Sequence, residues 1–438
     1  MPSEHETLVV GAGMTGLAAG IGGGFRVLEG SPRPGGLCAS YKRDGFRFET
    51  GGGHWIFPGD PLVEATFDRL ARLRRYSRRS SVFFTGGLQV TEPLKNVFVP
   101  YPIQNNLWAL PTETRVRALG ELSGEGAQDV QTLDGWLRSS FGPTLYGVFF
   151  GPFHERYTGG LHKEVAPQDG YKSPVDAKAV HKGATRANEE EVGYNTWFTY
   201  PINGLNSLVD ALAERCTVSC GTSVVHIDLH QRTVTTGGGV EIPYDTLIST
   251  IPLDDLVRMS ALDAQEADPA SAVLVLNLGV RLPDTSTARH GNHWLYVPDS
   301  KSGFHRIGYY SNVDSAFLPS SLATSDGYAS LYVETGFRRD HRPSELDLAR
   351  KCAEIRDELV AIGMVGEVLV EDRCWVDCAY TWRRSGSDWA ESVVSSFAAH
   401  RIHSVGRYGR WRFQGIADSF RDGLFAGAAI RAKGAALS

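Results

Sequence analysis

The feature that most constrains the fold is a glycine turn, Gly11-Ala12-Gly13-Met14-Thr15-Gly16, close to the start of the chain. It follows an apolar run at residues 6–10 that predicts a buried strand, and the residues after it predict a helix. Glycines in this context let a pyrophosphate approach the helix N-terminus, where unpaired amides and the helix dipole favour negative charge. Glu29 ends the next predicted strand, where its carboxylate is suited to bind an adenosine ribose. The sequence therefore predicts a Rossmann-type dinucleotide-binding unit.

Hydrophobic periodicity divides the rest of the chain. Residues 59–199 show mainly helical spacing, which predicts a helical insertion. Residues 256–399 contain alternating apolar runs, which predict an antiparallel-sheet substrate domain. Strand and helix patterns typical of the nucleotide-binding sheet return in two later segments, so we expect a discontinuous domain made of residues 1–58, 200–255 and 400–438. The predicted fold class is α/β.

Composition excludes several functions. Lys and Arg total 44 against 50 for Asp and Glu, and this net charge of −6 argues against a nucleic-acid groove. No stretch approaches the roughly 18 unbroken apolar residues of a membrane span, and the first residues do not resemble a signal peptide. We therefore expect a cytoplasmic protein with no membrane partner. The six cysteines lack CxxC spacing, which predicts reduced structural thiols and no metal site. A homo-oligomer stays open.

Further motifs extend the dinucleotide signature. Pro34-Gly35-Gly36 follows Glu29 after a short spacer, and Gly406-Arg407 precedes a final helix that begins near Asp418. This arrangement resembles the FAD-binding family that includes monoamine oxidases, protoporphyrinogen oxidases and UDP-galactopyranose mutases. The resemblance implies an FAD-binding Rossmann domain of the two-dinucleotide-binding type. It implies that Gly35 and Gly36 lie against the flavin phosphates, that Val225 meets the adenine, and that Arg407 and Asp418 hold FAD from the other side.

Three stretches are similar to the mutase branch in particular. Gly52-Gly53-His54-Trp55-Ile56-Phe57 looks like its histidine loop, whose backbone approaches the flavin ring. Residues 149–159 resemble an aromatic–Pro–aromatic segment of the branch. Trp294-Leu295-Tyr296, followed by Phe304-His305-Arg306, resembles the run that lines the sugar-nucleotide site. A guanidinium such as that of Arg306 binds a diphosphate bidentately, although an arginine paired with a sheet carboxylate remains the alternative.

The resemblance implies a pyranose–furanose mutase. Reduced FAD, reduced by NAD(P)H, would attack the anomeric carbon of a nucleotide-sugar through N5, and the N5–sugar adduct would permit ring exchange with no net redox. His54, Trp294, Tyr296 and Arg306 are the expected catalytic residues, and Lys172 is an expected ligand of the diphosphate.

The chain also departs from the branch. Trp382 and Phe413 stand where its members present tyrosine hydroxyls to the substrate, so compensation by Arg383, Arg384 or Arg412 is predicted, and UDP-galactopyranose is expected to be a poor substrate.

Two other functions remain open. The same fold supports an FAD-dependent oxidoreductase or oxidase acting on an amine, a sugar or a natural-product intermediate, with an apolar or cationic pocket over the flavin. A flavin-binding protein without catalytic activity is the third possibility.

Overall fold

The structure is a computed structural model that describes residues 6–88, 93–121, 131–168, 182–185, 196–284, 286 and 291–437. The strands are β1 (Glu6–Val10), β2 (Arg26–Leu28), β3 (Ser40–Arg43), β4 (Phe46–Glu49), β5 (Leu73–Ser77), β6 (Ser80–Thr85), β7 (Lys95–Pro100), β8 (Trp197–Pro201), β9 (Val218–Ser219), β10 (Val224–Asp228), β11 (Thr233–Thr236), β12 (Glu241–Ser249), β13 (Ala270–Arg281), β14 (Trp294–Tyr296), β15 (Arg306–Tyr309), β16 (Tyr328–Arg338), β17 (Val368–Thr381) and β18 (Ile402–Ser404). The helices are α1 (Met14–Gly23), α2 (Pro61–Ala71), α3 (Thr112–Glu121), α4 (Leu133–Leu145), α5 (Gly151–Thr158), α6 (Leu205–Ala213), α7 (Leu253–Ser260), α8 (Tyr310–Val313), α9 (Glu345–Ala361), α10 (Trp389–Ala399), α11 (Gly406–Gly409) and α12 (Ile416–Leu437).

The first sheet contains the predicted nucleotide-binding strands. Parallel strands β9, β2, β1, β12 and β18 lie side by side in that order, and the β10–β11 hairpin extends β12. The backbones of helices α12 and α1 are in direct contact. A Cβ on Gly423 would lie only 2.0 Å from the carbonyl oxygen of Thr15, so a side chain larger than hydrogen does not fit there. The first and last helices thus pack against each other. The predicted α/β Rossmann architecture is confirmed.

The second sheet has the strand order β17-β13-β16-β15-β14-β6-β7. Most of its pairs are antiparallel, whereas β14 and β6 run parallel. Strand β13 is buried along almost its whole length and lies between the edge strand β17 and β16. The predicted antiparallel sheet over 256–399 is therefore present.

The segment 59–199 contains the predicted helices α2 to α5, and it also contains the strands β5, β6 and β7, which were not predicted. Strands β6 and β7 pair with each other and extend the second sheet, while β5 pairs with β8. They are five or six residues long, too short for a helical or strand period to be distinguished in the sequence. The predicted domain boundaries stay a prediction.

The helical part of this segment forms its own apolar core. Helices α3 and α4 pack over β6 and β7, and a π-helical turn, Tyr146–Phe150, joins α4 to α5. This connection aligns Phe149, Phe153 and Tyr157 at helical spacing, with stacked rings 5.3 and 5.5 Å apart. Within the part of the chain that the structure describes, no helix is long and apolar enough to cross a membrane.

Candidate functional site

The first glycine turn forms an open cradle between β1 and α1. Gly11 has a φ of +94°, a left-handed value that favours glycine. A Cβ on Gly16 would lie 1.7 Å from the carbonyl oxygen of Gly11, so a side chain there would break the turn. A Cβ on Gly13 would instead meet nothing within 4 Å. The turn therefore exposes backbone at the N-terminus of α1, which suits a phosphate group.

The second glycine pair lies directly beside this cradle. The amide of Gly35 donates to the carbonyl oxygen of Ala12 at 2.9 Å, and a Cβ on Gly36 would lie 3.4 Å from the Cα of Gly13. Two motifs that are separate in the sequence thus form one wall. Their proximity is what a shared pyrophosphate requires.

Glu29 holds the adjoining turn in place. Its carboxylate accepts hydrogen bonds from the amide of Ala12 at 2.7 Å and from that of Ser31 at 2.8 Å. The carbonyl oxygen of Glu29 accepts from the amide of Thr222, which brings the chain before Val225 alongside. Val225 itself is half exposed, and the pairing of β10 with β11 skips it. These positions are compatible with the adenosine end of a dinucleotide.

The closing segment meets the cradle from the other side. Gly406 has a φ of +79°, and a Cβ on it would lie 2.4 Å from Oγ1 of Thr15. Arg407 is half-buried; its Nη1 and Nη2 donate to the carbonyl oxygens of Gln414 and Ala379 at 3.1 and 2.8 Å. Its buried Nε has no hydrogen-bond partner among the described residues. A buried, unsatisfied donor on a cation next to an open glycine turn fits an anionic cofactor.

Asp418 does not share this environment. It accepts a hydrogen bond from Arg421 and another from the amide of Gly415, both at 3.3 Å, and it does not line the cavity described next. Its expected role beside FAD therefore stays a prediction.

A cavity opens beyond the cradle, between the helical segment, the second sheet and the closing segment. Its lining combines the loop after β4, the π-helical turn and α5, and strands β14 to β17. Aromatic side chains dominate the lining, namely Trp55, Phe57, Tyr101, Phe149, Phe150, Phe153, Tyr157, Tyr296, Tyr380, Tyr408 and Phe413. Such walls exclude water and bind planar groups by stacking.

His54 contributes a neutral ring to the cavity. Burial lowers its pKa, and its Nδ1 lies 3.1 Å from the carbonyl oxygen of Gly52. The glycines before it let the loop lie against β16, because a Cβ on Gly52 would be 2.7 Å from Oε1 of Glu334 and one on Gly53 would be 2.2 Å from the Tyr332 hydroxyl. This packing is a reason for the glycines that the sequence pattern did not predict.

Arg306 also lines the cavity, but it is paired with a carboxylate. It lies opposite Glu334 in the β15–β16 ladder, and its Nε donates to Oε2 of Glu334 at 2.9 Å, while Nη2 donates to the same oxygen. Burial opposes both charges; even so, Glu334 raises the pKa of Arg306, and Arg306 holds the pKa of Glu334 below its usual range. The structure thus contains the arginine–carboxylate pair that the sequence left open as the alternative, and the expected role of Arg306 toward a diphosphate stays a prediction. Nη1 of Arg306 makes no hydrogen bond to any described residue.

Two tyrosines lie beside Arg306. Tyr296 lies opposite it in the β14–β15 ladder, so Tyr296, Arg306 and Glu334 form a row across three strands. Tyr380, near the end of β17, places its hydroxyl 3.4 Å from Nη2 of Arg306. The sequence prediction missed Tyr380 and assigned its place to Trp382, two residues further on.

Trp294 and Trp382 are corrected, because neither lines the cavity. Trp294 packs in the core at 6.0 Å from the Phe198 ring. Trp382 is buried and donates from Nε1 to Oγ of Ser271 at 3.1 Å. Phe413 does line the cavity, 4.9 Å from the guanidinium of Arg407.

The predicted compensating arginines do not reach this cavity. Arg383, Arg384 and Arg412 form ion pairs with Glu391, Glu266 and Asp422 at 3.0, 2.7 and 2.7 Å. Arg383 and Arg412 line a separate groove beside α10. Lys172 lies outside the described residues. Arg306 and Arg407 are therefore the cationic side chains that line the cavity within the described residues.

Comparison with known proteins agrees with this architecture. The family described as "Flavin containing amine oxidoreductase" matches residues 17–432. A reduced UDP-galactopyranose mutase is similar in structure, with a TM-score of 0.84 and 22% sequence identity over 98% of this chain and 96% of that one. An oxidoreductase from Methanosarcina mazei has a TM-score of 0.64 and 17% identity over 95% and 99% of the two chains. Putrescine oxidase bound to putrescine has a TM-score of 0.61 and 15% identity over 98% and 99%.

Proposed function

The chain belongs to the flavin containing amine oxidoreductase family, and within that family we propose that it is an FAD-dependent nucleotide-sugar mutase that interconverts pyranose and furanose rings. The observation that supports this function is the convergence of Arg306, Tyr296 and Tyr380 in the cavity that also contains His54. The likeness to a UDP-galactopyranose mutase adds support through the fold. We propose a cytoplasmic location and leave the oligomeric state open.

The residues of the cradle fit FAD. We propose that Gly11, Gly13 and Gly16 receive one end of its pyrophosphate, that Gly35 and Gly36 receive the other, and that Arg407 donates from Nε. When bound, reduced FAD supplies a nucleophilic N5 for the anomeric carbon of the sugar, and NAD(P)H is the proposed reductant.

The other cavity residues bind and orient the substrate. Nη1 of Arg306 and the hydroxyls of Tyr296 and Tyr380 would donate to a diphosphate, and hydrogen bonds to a charged group contribute about 1.5–3 kcal/mol each. They would hold the diphosphate in the cavity after the glycosidic bond breaks, so that it can return to the same carbon. The aromatic walls keep water from that carbon and so limit hydrolysis.

The test compares oxidised and dithionite-reduced enzyme on a panel of nucleotide-sugars, with pyranose and furanose products separated by chromatography. We expect interconversion by the reduced enzyme alone, with the flavin still reduced at the end. Equal rates with oxidised enzyme, or no conversion of any nucleotide-sugar, would contradict the proposal.

A second function is favoured by the charge of the site. Because Glu334 neutralises Arg306 and eleven of the other lining residues are Phe, Trp or Tyr, the cavity also suits an uncharged substrate of an FAD-dependent oxidoreductase. Oxygen consumption or reduction of an electron acceptor with an amine or a sugar alcohol would identify this activity.

A further inference from the structure

The buried carboxylate of Glu334 contacts two parts of the cavity wall, namely Arg306 and the loop that carries His54. Oε2 of Glu334 accepts both hydrogen bonds from Arg306 and lies 3.5 Å from Nε2 of His305. Its Oε1 lies against Gly52, in the loop that carries His54. The Glu334 side chain is 2% exposed. Glu334 therefore contacts the expected anion-binding arginine and the expected flavin-facing loop at once.

A contribution to folding stability is a weak explanation for the presence of the buried Arg306–Glu334 ion pair. Removing a carboxylate and a guanidinium from water costs about as much as their attraction returns, and apolar replacements are often equally stable. A pair at a cavity wall has a second effect, because it fixes the direction of the guanidinium. Nε and Nη2 of Arg306 are taken by Glu334, which leaves Nη1 for a ligand.

The pair also determines the charge that a ligand meets. A guanidinium next to a carboxylate presents almost no net charge at a distance, so a small inorganic anion gains little from approaching Arg306. A ligand that reaches Nη1 together with the two tyrosine hydroxyls gains directed hydrogen bonds instead.

We propose that Glu334 is the specificity-determining partner of Arg306. It positions the guanidinium and cancels its charge, so that the cavity selects a nucleoside diphosphate group by geometry and rejects free inorganic anions. The identity of the ligand rests on the proposed function, whereas the charge balance does not.

The test uses the oxidised holoenzyme and Glu334→Gln, which preserves the shape of the side chain and removes its charge. Calorimetric titration with UDP and with inorganic pyrophosphate gives the two dissociation constants. We expect Glu334→Gln to bind pyrophosphate at least about tenfold more tightly than the wild type, and so to lose selectivity for UDP, because Arg306 then acts as a free cation. We also expect a more positive flavin reduction potential, because a negative charge at the cavity wall is lost.

Two controls separate charge from structure. Glu358→Gln removes a carboxylate that accepts hydrogen bonds from the amides of Lys301 and Ser302, outside the cavity, and should change neither measurement. Glu334→Asp keeps the charge but shortens the side chain. It should leave pyrophosphate binding weak and raise KM for the nucleotide-sugar more than it changes kcat.

The outcomes are distinct. Pyrophosphate affinity within about twofold of the wild type, together with an unchanged reduction potential, would overturn the role of Glu334, even if UDP binds. If the wild type binds no UDP, the proposed function fails, while the pyrophosphate titration and the reduction potential still decide the inference. If Glu334→Gln does not fold, Glu334→Asp decides it: tight pyrophosphate binding by that variant contradicts the inference.

Discussion

Removing Arg306 should destabilise the protein in a way that depends on pH. In Arg306→Ala the carboxylate of Glu334 stays buried without its partner, because the Glu334 side chain is 2% exposed and Arg306 supplies its cationic hydrogen bonds. Breaking a buried ion pair from one side costs about 3–5 kcal/mol. The Arg306 side chain is 22% exposed, so water that enters its place lowers this cost, and we expect about 3 kcal/mol at pH 7.5.

The sign of the pH dependence follows from the two pKa shifts. In the wild type Arg306 lowers the pKa of Glu334, so this group stabilises the fold above its unfolded pKa of about 4.3, and that contribution is lost as the pH falls. In Arg306→Ala the largest remaining influence on the Glu334 carboxyl is burial, which raises its pKa, while His305 still acts to lower it. The destabilisation is then largest at high pH and shrinks as Glu334 takes up a proton.

Urea unfolding at pH 7.5 and pH 5.0, followed by tryptophan fluorescence, measures the effect. The loss of unfolding free energy should be smaller at pH 5.0, and the double variant Arg306→Ala/Glu334→Gln should recover at least half of the loss at pH 7.5. Arg383→Ala, which breaks an ion pair between half-exposed side chains, is the matched control and should cost less than about 1 kcal/mol. Equal losses at both pH values, or no recovery in the double variant, would refute a buried and charged Glu334.

Further predictions concern the cofactor and the substrate. The purified protein should be yellow and release FAD on denaturation, and Gly16→Ala should abolish this colour because its Cβ would overlap the carbonyl oxygen of Gly11, whereas Gly120→Ala, which meets open space, should keep full occupancy. Arg306→Ala should lower kcat/KM for the best nucleotide-sugar by about two to four powers of ten while FAD stays bound, and an unchanged value would move the diphosphate site elsewhere. Tyr380→Phe should raise KM by about tenfold, since it removes a hydroxyl donor from the same place; no change would exclude that contact. Phe413→Tyr should alter kcat/KM by less than about threefold, and a large loss would show that the aromatic ring packs without room for a hydroxyl.

The sequence by itself determined the fold class and the dinucleotide cradle. Gly11, Gly13, Gly16 and Glu29 act through local geometry, because a turn without Cβ atoms between a strand and a helix is specified by neighbours in the chain. The closing segment at Gly406 was expected from the resemblance of the sequence to the FAD-binding family.

Only the tertiary structure decided what the cavity presents. Arg306 is paired because β15 and β16 align in a register that places it opposite Glu334, and strand register depends on contacts between distant segments. Tyr380 enters the cavity and Trp382 does not, because β17 ends between them and the indole turns into the core. The positions of the charges and hydroxyl groups at the site therefore depend on how the strands pair, which a single sequence does not specify. The glycine cradle, in contrast, depends on residues that are neighbours in the sequence.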